Sequence, residues 1–274
     1  MADMIIKLRN RYRYSLVILK QLVITEFKLR YKGSVLGYIW TLLKPLALFA
    51  VMYVVFIHFL KFGADVPHFA VYLLLGTVLW NFFAEATVNG MSAIVSKGDL
   101  MRKLSFPRYV LVISTQVSAL INLMINLIVV CIFVVINGVD IDLRALLIIP
   151  IIIELSIFSL AIAFFLAALS VKLRDVGYIW ELILQAGFYA TPIFYPLSMV
   201  MKVSTDATNI MMLNPMAQII QDARFAIIST QTPTVWTIIE NPIIVWFPLL
   251  IVAVMFVTGS MYFKKKSPYF AEEV

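Results

Sequence analysis

The 274-residue sequence is poor in charge, since 14% of its residues are Asp, Glu, Lys or Arg while 62% are apolar. A soluble domain carries about 25% charged residues, so this chain has too few to cover a globule of its size. That shortage excludes a soluble enzyme, and the high apolar content excludes a disordered chain. The one cysteine, Cys131, lies inside an apolar run, which excludes a disulfide framework. The composition predicts a polytopic membrane protein.

Reactive residues are equally scarce. The only histidines, His58 and His68, do not form an HExxH pattern, and no two aspartates have DxxD spacing. None of the ten glycines is followed by lysine, so the chain has no phosphate-binding GxxxxGK[ST] loop. We therefore expect no catalytic residue, no metal site and no bound ATP in this chain.

Apolar runs predict an all-α integral membrane protein with six spans. A cytoplasmic N-terminal segment (1–34), a transmembrane domain (35–263) and a cytoplasmic tail (264–274) divide the chain. The fifth span runs into Pro192 and Pro196, which cannot continue a straight helix. A broken segment at 198–240 is expected to form re-entrant helices at the outer leaflet. The spans are predicted at about 36–60, 69–90, 110–136, 145–171, 178–197 and 242–263.

The basic residues predict the orientation. Of the 22 Lys and Arg residues, 17 lie on one side of the six spans, four on the other, and Lys44 within the first span. Positive charge concentrates on the cytoplasmic side, so both termini are predicted to be cytoplasmic. The net charge of +7 is thus a topology signal rather than a nucleic-acid surface.

The residues before the first span predict an amphipathic helix in the cytoplasmic interface. Polar Gln21, Thr25 and Lys28 recur at helical spacing, and apolar Leu19 and Val23 occupy the other side. Two interpretations stay open: a plain juxtamembrane anchor, or a helix that gates an opening.

Polar residues inside the predicted spans are candidates for function by default. Glu85, Glu154 and Glu181 fall on different spans, and we expect structural or interfacial roles for Glu85 and Glu181. Asn122 and Asn126, four residues apart, are predicted to hydrogen-bond to a neighbouring helix.

Several motifs, in order along residues 25–273, carry a family resemblance. Four stretches resemble permeases of the ABC-2 type that export polysaccharides, O-antigen and teichoic acids: residues 26–45 (EFKLRYKGSVLGYIWTLLKP), 76–83 (GTVLWNFF), 103–108 (KLSFPR), and 174–176 (RDV) followed by Gln185 and 188–196 (FYATPIFYP). The last of these is the most specific. Asn214-Pro215-Met216 and residues 268–273 (PYFAEE) fit as well. One departure is Lys44, where that family favours a neutral residue before the proline.

The resemblance implies a homodimer in the cytoplasmic membrane of a prokaryote, joined to two copies of a separate ABC ATPase that binds ATP and magnesium. A lipid-linked glycan would pass outward between the two permease halves, in contact with membrane lipid. Two alternatives remain: an ABC-2 permease for another cargo, such as a drug or simple lipid, and a membrane-embedded enzyme of glycan or lipid assembly.

Aromatic and proline residues suggest the path and its outer closure. Sugar rings pack on aromatic faces, and weak contacts let a polymer slide. The candidate path aromatics are Tyr38, Phe49, Tyr53, Phe56, Phe188 and Tyr189. The candidate outer gate comprises Pro192, Tyr195, Pro196, Asn214 and Pro215.

The loop at 91–109 is the candidate ATPase-coupling element. Asp99 is a good helix N-cap, and Leu100, Met101 and Leu104 share one side of the short helix that follows. We expect these three to form an apolar knob, ringed by cations, that enters a groove on the ATPase. The coupling residues are Lys97, Gly98, Asp99, Leu100, Met101, Arg102, Lys103 and Leu104.

Overall fold

The computed structural model describes residues 2–30, 37–60, 66–103 and 106–273, and these ranges contain helices and loops without a β-strand. The all-α prediction is confirmed for them. The α-helices are α1 (Ala2–Arg30), α2 (Trp40–Tyr53), α3 (Phe69–Ser92), α4 (Gly98–Lys103), α5 (Tyr109–Ile136), α6 (Ile148–Ser170), α7 (Val176–Ala190), α8 (Leu197–Val203), α9 (Thr205–Met212), α10 (Pro215–Ile227), α11 (Val235–Ile238), α12 (Phe247–Lys266) and α13 (Phe270–Glu273).

Four of the described segments are long and apolar enough to cross a membrane: Phe69–Ser92, Tyr109–Ile136, Leu143–Ser170 and Ile244–Tyr269. They contain α3, α5, α6 and α12, and correspond to the second, third, fourth and sixth predicted spans. The chain is thus a multi-pass membrane protein by the length and composition of its helices.

The first and fifth predicted spans are shorter helices. α2 has 14 residues and continues as a π-helix over Val54–Phe59. α7 has 15 residues, about 22 Å at 1.5 Å per residue, which is less than the hydrocarbon thickness of about 30 Å. It ends at Ala190 rather than at the predicted residue 197, because Pro192 cannot continue it.

Helix α3 lies at the centre of the fold, between α5 and α6. Residues 71–80 are all buried, as expected for a helix that is apolar on every side. α12 packs along α6 at Gly259, where a Cβ atom would come within 2.5 Å of the Ala161 carbonyl oxygen. Small residues allow such close approach between membrane helices, so α3, α5, α6 and α12 form the frame that holds the other elements.

The segment after α7 is a series of short helices, α8 to α11, and is broken where the sequence predicted. The Ser204 side chain caps α9 by accepting from the Ala207 N–H at 3.2 Å. Asn214 caps α10 by accepting from the Met216 N–H at 3.0 Å, with Pro215 at the first helical position. A continuous helix through 198–225 is therefore excluded.

Candidate functional site

A polar cavity of about 760 Å³ lies between α2, α3 and α5. Asn122 of α5 donates to the Glu85 carboxylate of α3 at 2.7 Å, so the predicted hydrogen bond between helices is present for Asn122. Asn126 instead donates to the Asn122 carbonyl of its own helix at 2.8 Å. The polar side chains that line the cavity are Thr41, Lys44, Asn81, Glu85, Asn89, Asn122 and Asn126.

The sequence contains a signal for this cavity that the motif analysis missed. Asn81, Glu85 and Asn89 are spaced four residues apart, which places all three on one face of α3. An apolar helix with one polar face directs that face toward polar partners or water rather than lipid. The exposed Lys44 also lines the cavity, so the departure from the family pattern adds a cation here.

An aromatic cluster joins the end of α7 to α3 and to the π-helix that follows α2. Phe188 packs against Trp80 and Phe194 with ring centroids 6.0 and 5.9 Å apart, and Phe56 packs against Phe194 at 5.0 Å. Tyr189 contacts Phe188 at 5.6 Å and is 61% exposed. Three of the predicted path aromatics, Phe56, Phe188 and Tyr189, are thus brought together.

The other predicted path aromatics lie elsewhere. Phe49 is 6% exposed and packs on Phe133 of α5 with ring centroids 5.4 Å apart, away from this cluster. It serves as a packing residue because α2 turns that face toward α5. Tyr53 is half-buried beside Phe49 and His58. The Tyr38 side chain lies outside the described part of the chain.

A fully buried arginine anchors the loop after α7. Arg224 of α10 is 0% exposed, and its guanidinium lies 3.3 Å from the centre of the Tyr72 ring. It donates to the Pro192 carbonyl at 2.6 Å, the Ile193 carbonyl at 2.7 Å and the Tyr72 carbonyl at 3.1 Å. Carbonyl oxygens are hydrogen-bond acceptors, and hydrogen bonds from a charged donor are stronger than those between neutral groups. Arg224 is one of the four basic residues on the side opposite the termini, and it is buried in α10 rather than exposed in a loop.

Two neighbours complete the arginine anchor. Gln221 accepts from Arg224 at 2.8 Å and from the Tyr72 hydroxyl at 3.2 Å, and donates to the Pro233 carbonyl at 3.0 Å. Gly76 leaves the room for the guanidinium, because a Cβ atom there would lie 2.5 Å from Arg224 Nη2. The Arg224 anchor thus ties together α3, α10 and the chain after α7.

The candidate gate residues lie close to this anchor. Pro192, Pro196 and Pro215 are buried. The Tyr195 hydroxyl donates to the Tyr189 carbonyl at 3.1 Å, which closes the turn after α7. Asn214 Nδ2 lies 3.5 Å from the Thr191 hydroxyl and so links α10 to the end of α7.

Helix α7 exposes a face that carries polar side chains. Tyr178, Glu181, Gln185 and Tyr189 follow one another at helical spacing, and all four are exposed, Tyr178 by 78%. Within the described ranges, the side chains of Glu181 and Gln185 make no hydrogen bond or ion pair. The exposed neighbours Ile179 and Ile183 are apolar, so the polar face is narrow.

A second polar cluster connects α6 and α10. Gln218 Nε2 donates to Asp222 at 2.6 Å and lies 3.4 Å from Glu154, which gives Glu154 the partner that sequence analysis did not identify. Gln218 and Asp222 lie one turn apart on α10. The contact between Gln218 and Glu154 holds α10 against α6.

The coupling segment is fastened to α1 and α5. The Lys97 ammonium pairs with the Glu26 carboxylate of α1. That carboxylate also accepts from the hydroxyls of Ser118 at 2.7 Å and Ser114 at 3.3 Å, both on α5. Lys97 therefore has a structural role, because its side chain fixes the start of α4 to helix α1.

The predicted apolar knob differs from the structure at Met101. This side chain is 9% exposed and belongs to an apolar cluster that includes Phe263 and Phe270. It is buried because the C-terminal helix α13 folds back onto α4. Leu100 is half-buried and packs against the same cluster, while Asp99, Arg102 and Lys103 remain exposed. Leu104 lies outside the described residues.

Comparison with known sequences decides the family. The sequence model described as "ABC-2 type transporter" matches residues 18–228. The chain belongs to the ABC-2 type transporter family. As an ABC-2 chain it belongs among transport subunits rather than enzymes.

The ABC-2 chain has named relatives along most of its length. It is 33% identical over 218 residues to the O-antigen export system permease protein RfbA of Myxococcus xanthus, covering 79% of this chain and 82% of the relative. It is 29% identical over 198 residues to a protein of the same name from Klebsiella pneumoniae, covering 72% and 76%.

The family match covers the coupling segment, the polar cavity and the whole Arg224 anchor of the ABC-2 chain except Pro233. It ends before α12 and α13, which cover Met101. The burial of Met101 thus depends on a part of the chain outside the match.

Proposed function

We propose that this chain is the permease subunit of an ATP-driven exporter that moves a lipid-linked polysaccharide or teichoic acid across the cytoplasmic membrane of a prokaryote. Family membership and the names of the relatives support this cargo class. ATP and magnesium bind to a separate ABC ATPase, since the sequence has no GxxxxGK[ST] loop.

The proposed topology has six spans with both termini cytoplasmic, and α2 and α7 serve as the first and fifth. The 17-to-4 division of Lys and Arg supports this orientation. The turn that follows α7 would then lie at membrane depth, where backbone must be buried in protein or line a cavity. The Arg224 anchor supports the same position, because it supplies donors to the carbonyls of Pro192 and Ile193.

The polar face of α7 carries the proposal. Glu181 and Gln185 cannot be satisfied by lipid tails, because an unpaired polar group in hydrocarbon costs several kcal/mol, on the order of 2–7. In this membrane helix they must therefore face water, cargo or another protein surface. A homodimer that places two α7 helices around a shared hydrophilic path gives all of these groups polar surroundings.

The chemistry along the path suits a glycan. Hydroxyl groups of a sugar need hydrogen-bond partners such as Gln185, and the apolar faces of sugar rings pack on aromatic rings such as Tyr178 and Tyr189. The polar cavity between α2, α3 and α5 offers further donors and acceptors. Each contact is weak, which allows a polymer to move from one to the next.

The outer gate in this proposal is the region from the end of α7 to α10, including Pro192, Tyr195, Pro196, Asn214 and Pro215. Its fixed point is the Arg224 anchor, and its mobile part is the turn that Tyr195 closes. Short helices α8 and α9 are suited to open as a unit because α8 ends where α9 begins.

The test is reconstitution of the full chain in vesicles with and without a co-expressed ABC ATPase. We predict that the chain alone does not hydrolyse ATP and that export of lipid-linked glycan requires ATP together with the ATPase. ATP hydrolysis by the chain alone, at a rate that survives removal of contaminating ATPases, would refute the proposal.

The proposed ATPase contact is the exposed side of α4, formed by Asp99, Arg102 and Lys103 with half-buried Leu100. We predict that Arg102→Glu lowers co-purification of the ATPase, by about threefold to fivefold at low salt for one exposed charge. High salt should reduce the difference, because exposed charges are screened. The control is Arg144→Glu, on the opposite side of the proposed topology, which should change nothing. Equal losses for both variants would show that α4 is not the contact.

A further inference from the structure

A cleft of about 1080 Å³ lies beside α4, between the start of α5 and the end of α12. It is separate from the cavity between α2, α3 and α5, and it shares Arg102 and Lys103 with the proposed ATPase contact. Its walls are formed by α1, residues 101–103 and 106–109, α6, and the end of α12 with the residues after it. The side chains that matter are Tyr14, Phe106, Tyr109, Phe164, Phe263 and the cations described next.

The cleft is strongly basic. Arg102, Lys103, Arg108 and Lys264 all line it, and none of the described residues that line it is an aspartate or glutamate. Arg108 donates to the Ser267 carbonyl, which fixes the chain after α12 to one wall. Arg102, Lys103 and Lys264 are exposed. The rim thus presents positive charge that the lining itself does not neutralise.

The floor of the same cleft is apolar. Phe164 and Phe263 are buried, and their rings pack together with centroids 4.9 Å apart. Tyr14 and Tyr109 are partly exposed at the sides. Tyrosine rings of this kind sit at the level of lipid head groups. A basic rim over an aromatic floor matches a ligand with an anionic head and an apolar body.

The position in the fold matches a lipid as well. Two membrane-spanning segments meet here at their ends, because Tyr109 begins one and Tyr269 ends the other. The cleft therefore lies where the hydrocarbon region gives way to water. With the topology of the proposed function, this is the inner leaflet, whose anionic lipids attract basic pockets between membrane helices.

We propose that this cleft binds an anionic phospholipid of the inner leaflet. The lipid phosphate lies among Arg102, Lys103 and Lys264, and the upper part of one acyl chain lies on Phe164 and Phe263. The apolar floor distinguishes this ligand from a soluble anion. Because Arg102 and Lys103 belong to α4, the bound lipid also steadies the segment that contacts the ATPase; this last clause rests on the proposed function.

Native mass spectrometry of the purified full chain, without ATPase, tests the site. Phosphatidylglycerol and phosphatidylcholine with the same acyl chains are titrated in separate samples. We expect phosphatidylglycerol to bind at least tenfold more tightly. The double variant Lys103→Gln with Lys264→Gln should weaken phosphatidylglycerol binding about 25-fold, or about fivefold for each cation removed. Lys172→Gln with Lys265→Gln removes two exposed cations outside the cleft, and should change binding less than twofold.

Several results would overturn the proposal. Equal binding of the two lipids would show that charge at the rim plays no part. Equal losses in the two double variants would indicate attraction to basic residues in general. Displacement of the lipid by inorganic phosphate at concentrations comparable to those of the lipid would indicate a soluble-anion site, and displacement by purified ATPase would indicate a protein contact. None of these results bears on whether the chain is an exporter subunit, since no transport is measured.

Discussion

Replacing Arg224 with methionine is expected to lower the free energy of unfolding by about 3–5 kcal/mol. The change leaves the Pro192 and Ile193 carbonyls buried without their donor, at about 1–3 kcal/mol each. It also removes the contact with the Tyr72 ring. The measurement is the thermal unfolding midpoint in detergent, with a decrease of about 6 °C or more. We also expect a leak across the outer leaflet, because the chain after α7 loses its attachment to α3.

Arg174→Met is the matched control, since Arg174 is exposed and carries the same change of side chain. It should alter stability by less than about 0.5 kcal/mol. A second variant, Gly76→Ala, inserts a methyl group 2.5 Å from Arg224 Nη2. This methyl group should cost much less when Arg224 is already methionine. Additive effects of the two substitutions, or equal midpoints for Arg224→Met and Arg174→Met, would contradict the role assigned to the anchor.

Replacing Glu181 and Gln185 together with leucine is expected to lower glycan export by about tenfold or more, while folding and ATPase binding persist. Each polar group contributes about 0.5–1.5 kcal/mol in a hydrogen bond to passing cargo or water. An apolar constriction also favours dewetting, which blocks passage of a hydrated polymer. Export is measured in reconstituted vesicles, with normalisation to the amount of complex.

The control for this pair is Ile179→Leu with Ile183→Leu, two exposed positions on the adjoining apolar face of α7. These substitutions introduce the same residue type on the same helix and should leave export unchanged. Export that is normal in the Glu181 and Gln185 variant would remove α7 from the path. So would an equal decrease in both double variants, because it would indicate a general effect on the helix.

The sequence predicts those helix bounds and breaks that depend on a local pattern of residues. The third and fourth spans are charge-poor runs, so the predicted bounds, 110–136 and 145–171, fall within three residues of α5 and α6. The end of α7 and the start of α10 follow from proline and from Asn214-Pro215, although the fifth span was predicted too long. These signals are local because each acts on the backbone of its own helix.

What the sequence does not predict depends on contacts between distant residues. Arg224 carries no sequence sign of burial, because its partners are backbone carbonyls 31, 32 and 152 residues away. Met101 has the exposed spacing of a docking knob, yet Phe270 near the end of the described chain covers it. Asn81, Glu85 and Asn89 are different, because their spacing of four residues along the sequence is itself a local signal for the polar face that lines the cavity.

We propose that the polar face of α7 lines a water-filled path. Single cysteines test it most directly, in a Cys131→Ser background that removes the chain's one native thiol. Gln185→Cys and Ile183→Cys are compared in membranes that contain the complete complex, using a water-soluble maleimide. We expect the maleimide to label Gln185→Cys, and we expect lipid to protect Ile183→Cys from labelling. Protection of Gln185→Cys together with labelling of Ile183→Cys would contradict it.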